Sequence, residues 1–131
     1  ADQETALKNN YTIRYNEKKL GNLTASTQIE ATKATIEDAR NNVINGLKTQ
    51  YNTILTTRDS LTTAQLQLQL AQVDLEKAAA SLAVGSSTQL QYQSAENAFI
   101  TAKNTVETTK LQLFLAMENY DWIVKGLVAS K

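Results

Sequence analysis

The sequence predicts an all-α protein whose main element is a long antiparallel coiled-coil hairpin, and three observations carry that prediction. The chain has no proline, and Gly85 is the only glycine between Gly46 and Gly126. Large residues recur at every seventh position in two ladders: Leu47, Ile54, Leu61, Leu68, Leu75 and Leu82, then Tyr92, Phe99, Val106, Leu113, Tyr120 and Leu127. Three residues on, the companion position is filled by Ala64, Ala71 and Ala78 in the first ladder. In the second it holds Ala95, Ala102, Thr109, Ala116 and Ile123. Alternating large and small side chains on a heptad seam lets two helix backbones approach closely while the large ones interdigitate.

The elements follow in order. Ala6, Leu7, Tyr11, Ile13 and Leu20 predict a short amphipathic helix over about 4–20, followed by a loop over 21–28. Thr27 with Glu30 three residues later has the form of a capping box and predicts the start of a long helix, about 29–84. Gly46 lies inside it at a cost of about 1 kcal/mol. Gln65 to Leu70 alternates polar and apolar like a strand, but heptad pattern continues on both sides without a breaker, so helix is predicted there too. A tip over 85–87 then leads into a third helix, about 88–126. At 1.5 Å per residue the long helix spans roughly 84 Å and the third about 58 Å. The shortfall of about 26 Å equals the length of the first helix. The short helix is therefore expected to stack end-on beyond the third, both alongside the long one, in a single helical domain covering residues 1–131.

A second apolar stripe runs off the seam. Leu55, Leu66, Leu70, Val73 and Val84 form it on the long helix, and Leu111, Leu115 and Trp122 lie off the seam of the third. A simple hairpin needs one stripe per helix, so two stripes imply further helical neighbours and self-association.

Composition excludes several functions. With 13 basic and 13 acidic residues the net charge is zero, and Lys and Arg are scattered rather than clustered as a nucleic-acid footprint would be. Without Cys or His the chain lacks thiol nucleophiles, the usual zinc ligands and the usual general base. No apolar run is long enough to span a bilayer as a helix. Glu37 with Asp38, Asp74 with Glu76, and Glu118 with Asp121 are close in sequence. Paired carboxylates need a shaped, partly dry pocket for acid–base work, which a long hairpin does not offer. They read instead as solvated helix faces, with pairs such as Asp74 and Lys77. No enzymatic activity and no cofactor or metal is expected.

The turn from Val84 to Gln91 is the candidate contact site. No charged residue lies between Lys77 and Glu96. Gly85 suits the positive φ of a helix C-cap, and Ser86 or Thr88, with Gln89 or Gln91 three residues on, suits the N-cap of the next helix.

Together these residues resemble the helical repeat of the TolC-like outer-membrane efflux protein family. The resemblance lies in Gly85, Gln91 and Ala95 with their intervals, then Ala98, Ala102 and the long helix to Leu127. Upstream it lies in Gln50-Tyr51-Asn52-Thr53-Ile54-Leu55 and in the opening Ala6-Leu7-Lys8-Asn9-Asn10. It covers nearly the whole chain. The resemblance implies the periplasmic α-helical part of a channel that assembles as a trimer, forms a conduit wall and docks a periplasmic adaptor (membrane-fusion) protein at the hairpin tip. Carried over, Val84, Gly85, Ser86, Ser87, Thr88 and Gln91 form that docking tip. Gln91 stands where relatives often place an acidic residue, which puts an ionic gate at this tip in doubt. The family inserts barrel strands between its first two helices, where this chain has Gly21 to Gln28, and carries two repeats where this chain has one. The expectation is a portion of such a channel, or a barrel-less relative. The alternatives are an adaptor hairpin, which typically carries an arginine near its tip where this chain has none after Arg58, and a generic coiled-coil spacer.

Overall fold

The structure, a computed structural model, describes residues 1–127. It is all-helical: α1 is Asp2–Asn9, α2 Tyr11–Leu20, α3 Ser26–Ala83 and α4 Gln89–Val124, with no strand among the described residues. The chain divides into two compact units, one of residues 1–54 with those from 115 on, the other Leu55–Phe114. The helices α3 and α4 contribute to both.

Many of these helical residues are threonines, which have modest helix propensity. The hydroxyls of Thr35, Thr53, Thr62, Thr63, Thr101, Thr105 and Thr109 donate to the carbonyl four residues back, at 2.8–3.2 Å. Bonded in this way, each hydroxyl is satisfied without unwinding the helix. Packing along the seam then decides the conformation.

In the unit Leu55–Phe114 the buried or half-buried residues of α3 include Leu61, Ala64, Leu68, Ala71, Leu75, Ala78 and Leu82. On α4 they are Tyr92, Ala95, Phe99, Ala102, Val106, Thr109 and Leu113. Apart from Leu55, Thr57, Ser81 and Ser87, every other residue of the unit is exposed. The heptad ladders are therefore the hairpin core. Gln65 to Leu70 is helical, with Leu68 inside and Leu66 and Leu70 outside.

The other unit is centred on Ala6, Ile13, Ile36, Ala39, Val43 and Leu47, with Leu7, Leu20, Tyr120, Ile123 and Val124 packed against them. The amide of Gln50 donates to the Ala116 carbonyl at 3.0 Å, tying α3 to α4. Past the end of α4, α2 continues alongside α3, where Arg40 pairs with Glu17 at 2.7 Å. The first helix, expected unbroken over 4–20, is two helices. Asn10 is extended (φ −62°, ψ 124°) and buried, and its side-chain oxygen accepts the Ile13 N–H at 3.1 Å as the cap of α2. Such a side-chain cap stabilises a helix start by about 1 kcal/mol, which offsets the interruption.

This break sits at the end of α4. The Asn9 amide donates to the Val124 carbonyl at 3.2 Å, and the Tyr120 hydroxyl donates to Asp2 at 2.9 Å. Burial, and next the bond to Asp2, push the Tyr120 hydroxyl pKa above its usual value.

Two other boundaries differ from expectation. The long helix begins at Ser26, with the Ile29 N–H bonded to the Ala25 carbonyl, so Thr27 lies within the helix. Glu30 pairs with Lys33 at 3.3 Å, and the Thr27–Glu30 capping box is not formed. At the other end α4 stops at Val124 rather than 126. Gly126 has φ 73°, its N–H bonds to the Ile123 carbonyl, and the Leu127 N–H bonds to the Trp122 carbonyl. This paired closure is a Schellman cap. It turns the chain off the helix axis and leaves Leu127, expected on the seam, exposed.

Candidate functional site

The tip is built from two interlocked caps. At the end of α3, Gly85 adopts φ 73°, its N–H bonds to the Leu82 carbonyl at 3.1 Å, and the Ser86 N–H bonds to the Ser81 carbonyl at 2.9 Å. This is a second Schellman closure, with Gly85 in the left-handed position that a Cβ disfavours. The Ser86 hydroxyl donates to the same Ser81 carbonyl at 3.1 Å, giving that helix-end acceptor a second bond. A Cβ at Gly85 meets nothing within 4 Å, so only the backbone angle requires glycine there.

The next helix opens with a reciprocal capping box. The Gln91 N–H donates to the Thr88 hydroxyl at 3.2 Å, and the Thr88 N–H donates to the Gln91 side-chain carbonyl at 2.9 Å. Of the two candidate N-caps, Thr88 takes the role and Ser86 does not. Loss of a cap of this kind destabilises a helix by about 1 kcal/mol.

The fold thus brings the six tip residues into one short turn. Gln91 is engaged within that turn as the capping partner of Thr88. Ser87 is half-buried, and Val84 is 78% exposed. Leu90, not among the residues singled out in the sequence, is 75% exposed one position into α4. Its position off the heptad seam, between the two cap residues, was the available signal. Val84 and Leu90 give the neutral turn two outward apolar side chains flanking hydroxyl and amide groups. Such a surface offers packing and hydrogen bonds to a partner and no charge for an ionic gate.

Away from the tip, Leu66, Leu70 and Val73 on α3 are exposed, as are Ile100, Leu111 and Phe114 on α4. The seam on each helix is covered by its partner, while this second stripe, apart from the half-buried Leu55, is open to solvent. Farther along, Leu115 and Trp122 are also exposed, with the indole N–H of Trp122 lying 3.4 Å from Glu118. An open groove runs between the helices of the hairpin unit, lined by Ser60, Thr63, Ala64 and Gln67 of α3 and Thr105 and Thr109 of α4.

The carboxylates enter helix-surface pairs: Asp74 with Lys77 at 3.9 Å, Glu107 with Lys110 at 2.9 Å, and Asp121 with Lys125. Exposed pairs of this kind are screened by solvent and contribute little to stability. Among the described residues no acidic cluster is arranged to hold a metal ion, and no helix is long and apolar enough to cross a membrane. No protein-family model, no curated protein and no solved structure matches this chain.

Proposed function

We propose that this chain is the periplasmic α-helical tunnel part of a TolC-like outer-membrane efflux or secretion channel. In this reading its hairpin is a segment of conduit wall, and its tip docks a periplasmic adaptor protein. It has no active site and no cofactor; its work is mechanical, and assembly with further copies builds the wall, as a trimer in the parent channel by the family resemblance. Large/small packing along the seam lets helix pairs slide against one another, and an adaptor at the tip biases them toward an open aperture.

The observation that supports this most is the exposed second stripe. A lone spacer has no use for Leu66, Leu70, Leu111 and Phe114 in water, whereas a helix in a wall needs a neighbour on each side. The capped, charge-free tip supports the docking role, because it holds one backbone conformation and presents Val84 and Leu90 outward.

The docking role is tested with single cysteines, which the natural chain lacks. Ser86→Cys, carrying a photo-crosslinker and mixed with the coiled-coil hairpin of an adaptor protein from the same cell, is expected to capture that hairpin. The mid-helix variant Thr62→Cys is expected not to. Capture from Thr62→Cys alone contradicts the assignment of the tip.

A further inference from the structure

We infer that the outward face of α2 docks on a layer of anionic lipid headgroups, with Arg14, Lys18 and Lys19 meeting lipid phosphates and Tyr11 and Tyr15 seated at the interface. This surface is additional to the tip and does not depend on the conduit-wall reading.

Three observations carry it. The first is how α2 sorts its side chains. Ile13 is buried, and Asn16 and Leu20 are half-buried, which turns that side of the helix inward. At about 100° per residue, Tyr11, Arg14, Tyr15, Lys18 and Lys19 fall within about 140° of arc on the opposite side. All five are exposed, on a face about 12 Å long at 1.5 Å per residue.

The second is charge. The only acidic residue of α2, Glu17, is held by Arg40 of α3 at 2.7 Å. Lys33, Arg40, Arg58, Lys77, Lys110 and Lys125 each pair with a carboxylate, whereas among the described residues Arg14, Lys18 and Lys19 do not. Cations are scattered over a chain of zero net charge, yet folding gathers three uncompensated ones on one face. Lys18 and Lys19 suit the negative end of the helix dipole, but Arg14, in the first half of α2, gains nothing from it.

The third is the aromatic pair. Tyr11 and Tyr15 are 73% and 55% exposed and stack on each other with ring centres 6.1 Å apart. Neither belongs to the core of its unit. Tyrosine, with an apolar body and a polar tip, is enriched at membrane–water boundaries, where Lys and Arg stems carry their charge to the headgroups.

The same chemistry favours lipid over nucleic acid. A duplex is held by roughly six to ten phosphate contacts strung along it, and single strands by aromatic rings open to stack on bases. Here the cations end within two turns of one short helix, and the rings stack on each other. A headgroup layer presents its phosphates in a plane, so a short helix lying flat on it engages all three cations at once.

Flotation of the purified chain with vesicles tests the contact. The chain is expected to float with vesicles of phosphatidylcholine and phosphatidylglycerol at low ionic strength. It is expected to stay behind with phosphatidylcholine alone, or in about 1 M salt, where the screening length falls to about 3 Å. Glutamine at Arg14, Lys18 and Lys19 together is expected to lower partitioning about a hundredfold, and at any one of them about fivefold, with helix content by circular dichroism unchanged. Glutamine at Lys48, Lys77 and Lys103 removes the same charge from elsewhere and is expected to change partitioning less than about twofold. Equal losses in the two triple variants overturn the proposal, because net charge and not this face then governs binding. Failure to float on the anionic vesicles, or equal flotation with phosphatidylcholine alone, overturns it as well. Tyr11→Ser with Tyr15→Ser is expected to weaken partitioning, and no change contradicts the seat given to the rings. Displacement from the vesicles by an oligonucleotide or an oligoglutamate of matched charge overturns the lipid assignment in favour of an extended polyanion.

Discussion

Alanine at Gly126 is expected to lower stability by about 3 kcal/mol, more than alanine at Gly21, Gly46 or Gly85. Two costs combine. At φ 73° an L-residue loses roughly 1–2 kcal/mol relative to glycine. The added Cβ also points into the backbone at the α1–α2 break, overlapping the Asn9 carbonyl and lying 2.9 Å from the Asn10 nitrogen. Backbone cannot rotate aside as a flexible side chain can, so α1 must lift from the end of α4. Gly85→Ala is the matched control, with the same φ of 73° and no atom within 4 Å of the new Cβ, so it is expected to lose only about 1–2 kcal/mol. Urea unfolding followed by the fluorescence of Trp122, the only tryptophan, compares the two directly. Equal losses at both glycines contradict the packing assigned to Gly126.

Truncating Leu47 to alanine is expected to be of similar size, about 3 kcal/mol, because it removes a large side chain from a site that is 2% exposed among Val43, Ile36 and Ile13. Leu66→Ala deletes the same atoms from an exposed position, and in the dissociated chain it is expected to change stability by less than about 0.5 kcal/mol. The pair separates the seam from the second stripe in one unfolding experiment at low protein concentration. A large loss at Leu66 under those conditions contradicts the division of the hairpin into a covered and an open side.

The hairpin was legible in the sequence because a coiled-coil seam is a local periodic property. Leu61, Leu68 and Leu75 declare their side by spacing alone, and Ala64, Ala71 and Ala78 declare how closely the partner approaches. The tip was legible for the same reason, since Gly85 and the Thr88–Gln91 box are short-range signals whose hydrogen bonds close within a few residues. The break at Asn10 was not. Neither Asn9 nor Asn10 is a breaker in the way glycine or proline is, and the cap on Ile13 depends on burial that the end of α4 supplies from the far end of the chain. The start of α3 was misplaced because Ala25 has no capping side chain, while Thr27 and Glu30 have the form of a box that the helix passes through. Leu127 kept the heptad interval but lost its place on the seam, because Gly126 ends the helix one residue earlier. For the site, the sequence identified the turn, its neutrality and Thr88 with Gln91 as one of two candidate caps, but not that Leu90 faces outward beside Val84.

The central claim is that the exposed second stripe exists to be covered by further copies of the same chain. Light scattering on the purified protein over a wide concentration range tests it most directly. The account predicts a mass that rises with concentration to a multiple of 14.4 kDa, whereas a mass fixed at 14.4 kDa up to the highest concentration reached contradicts it.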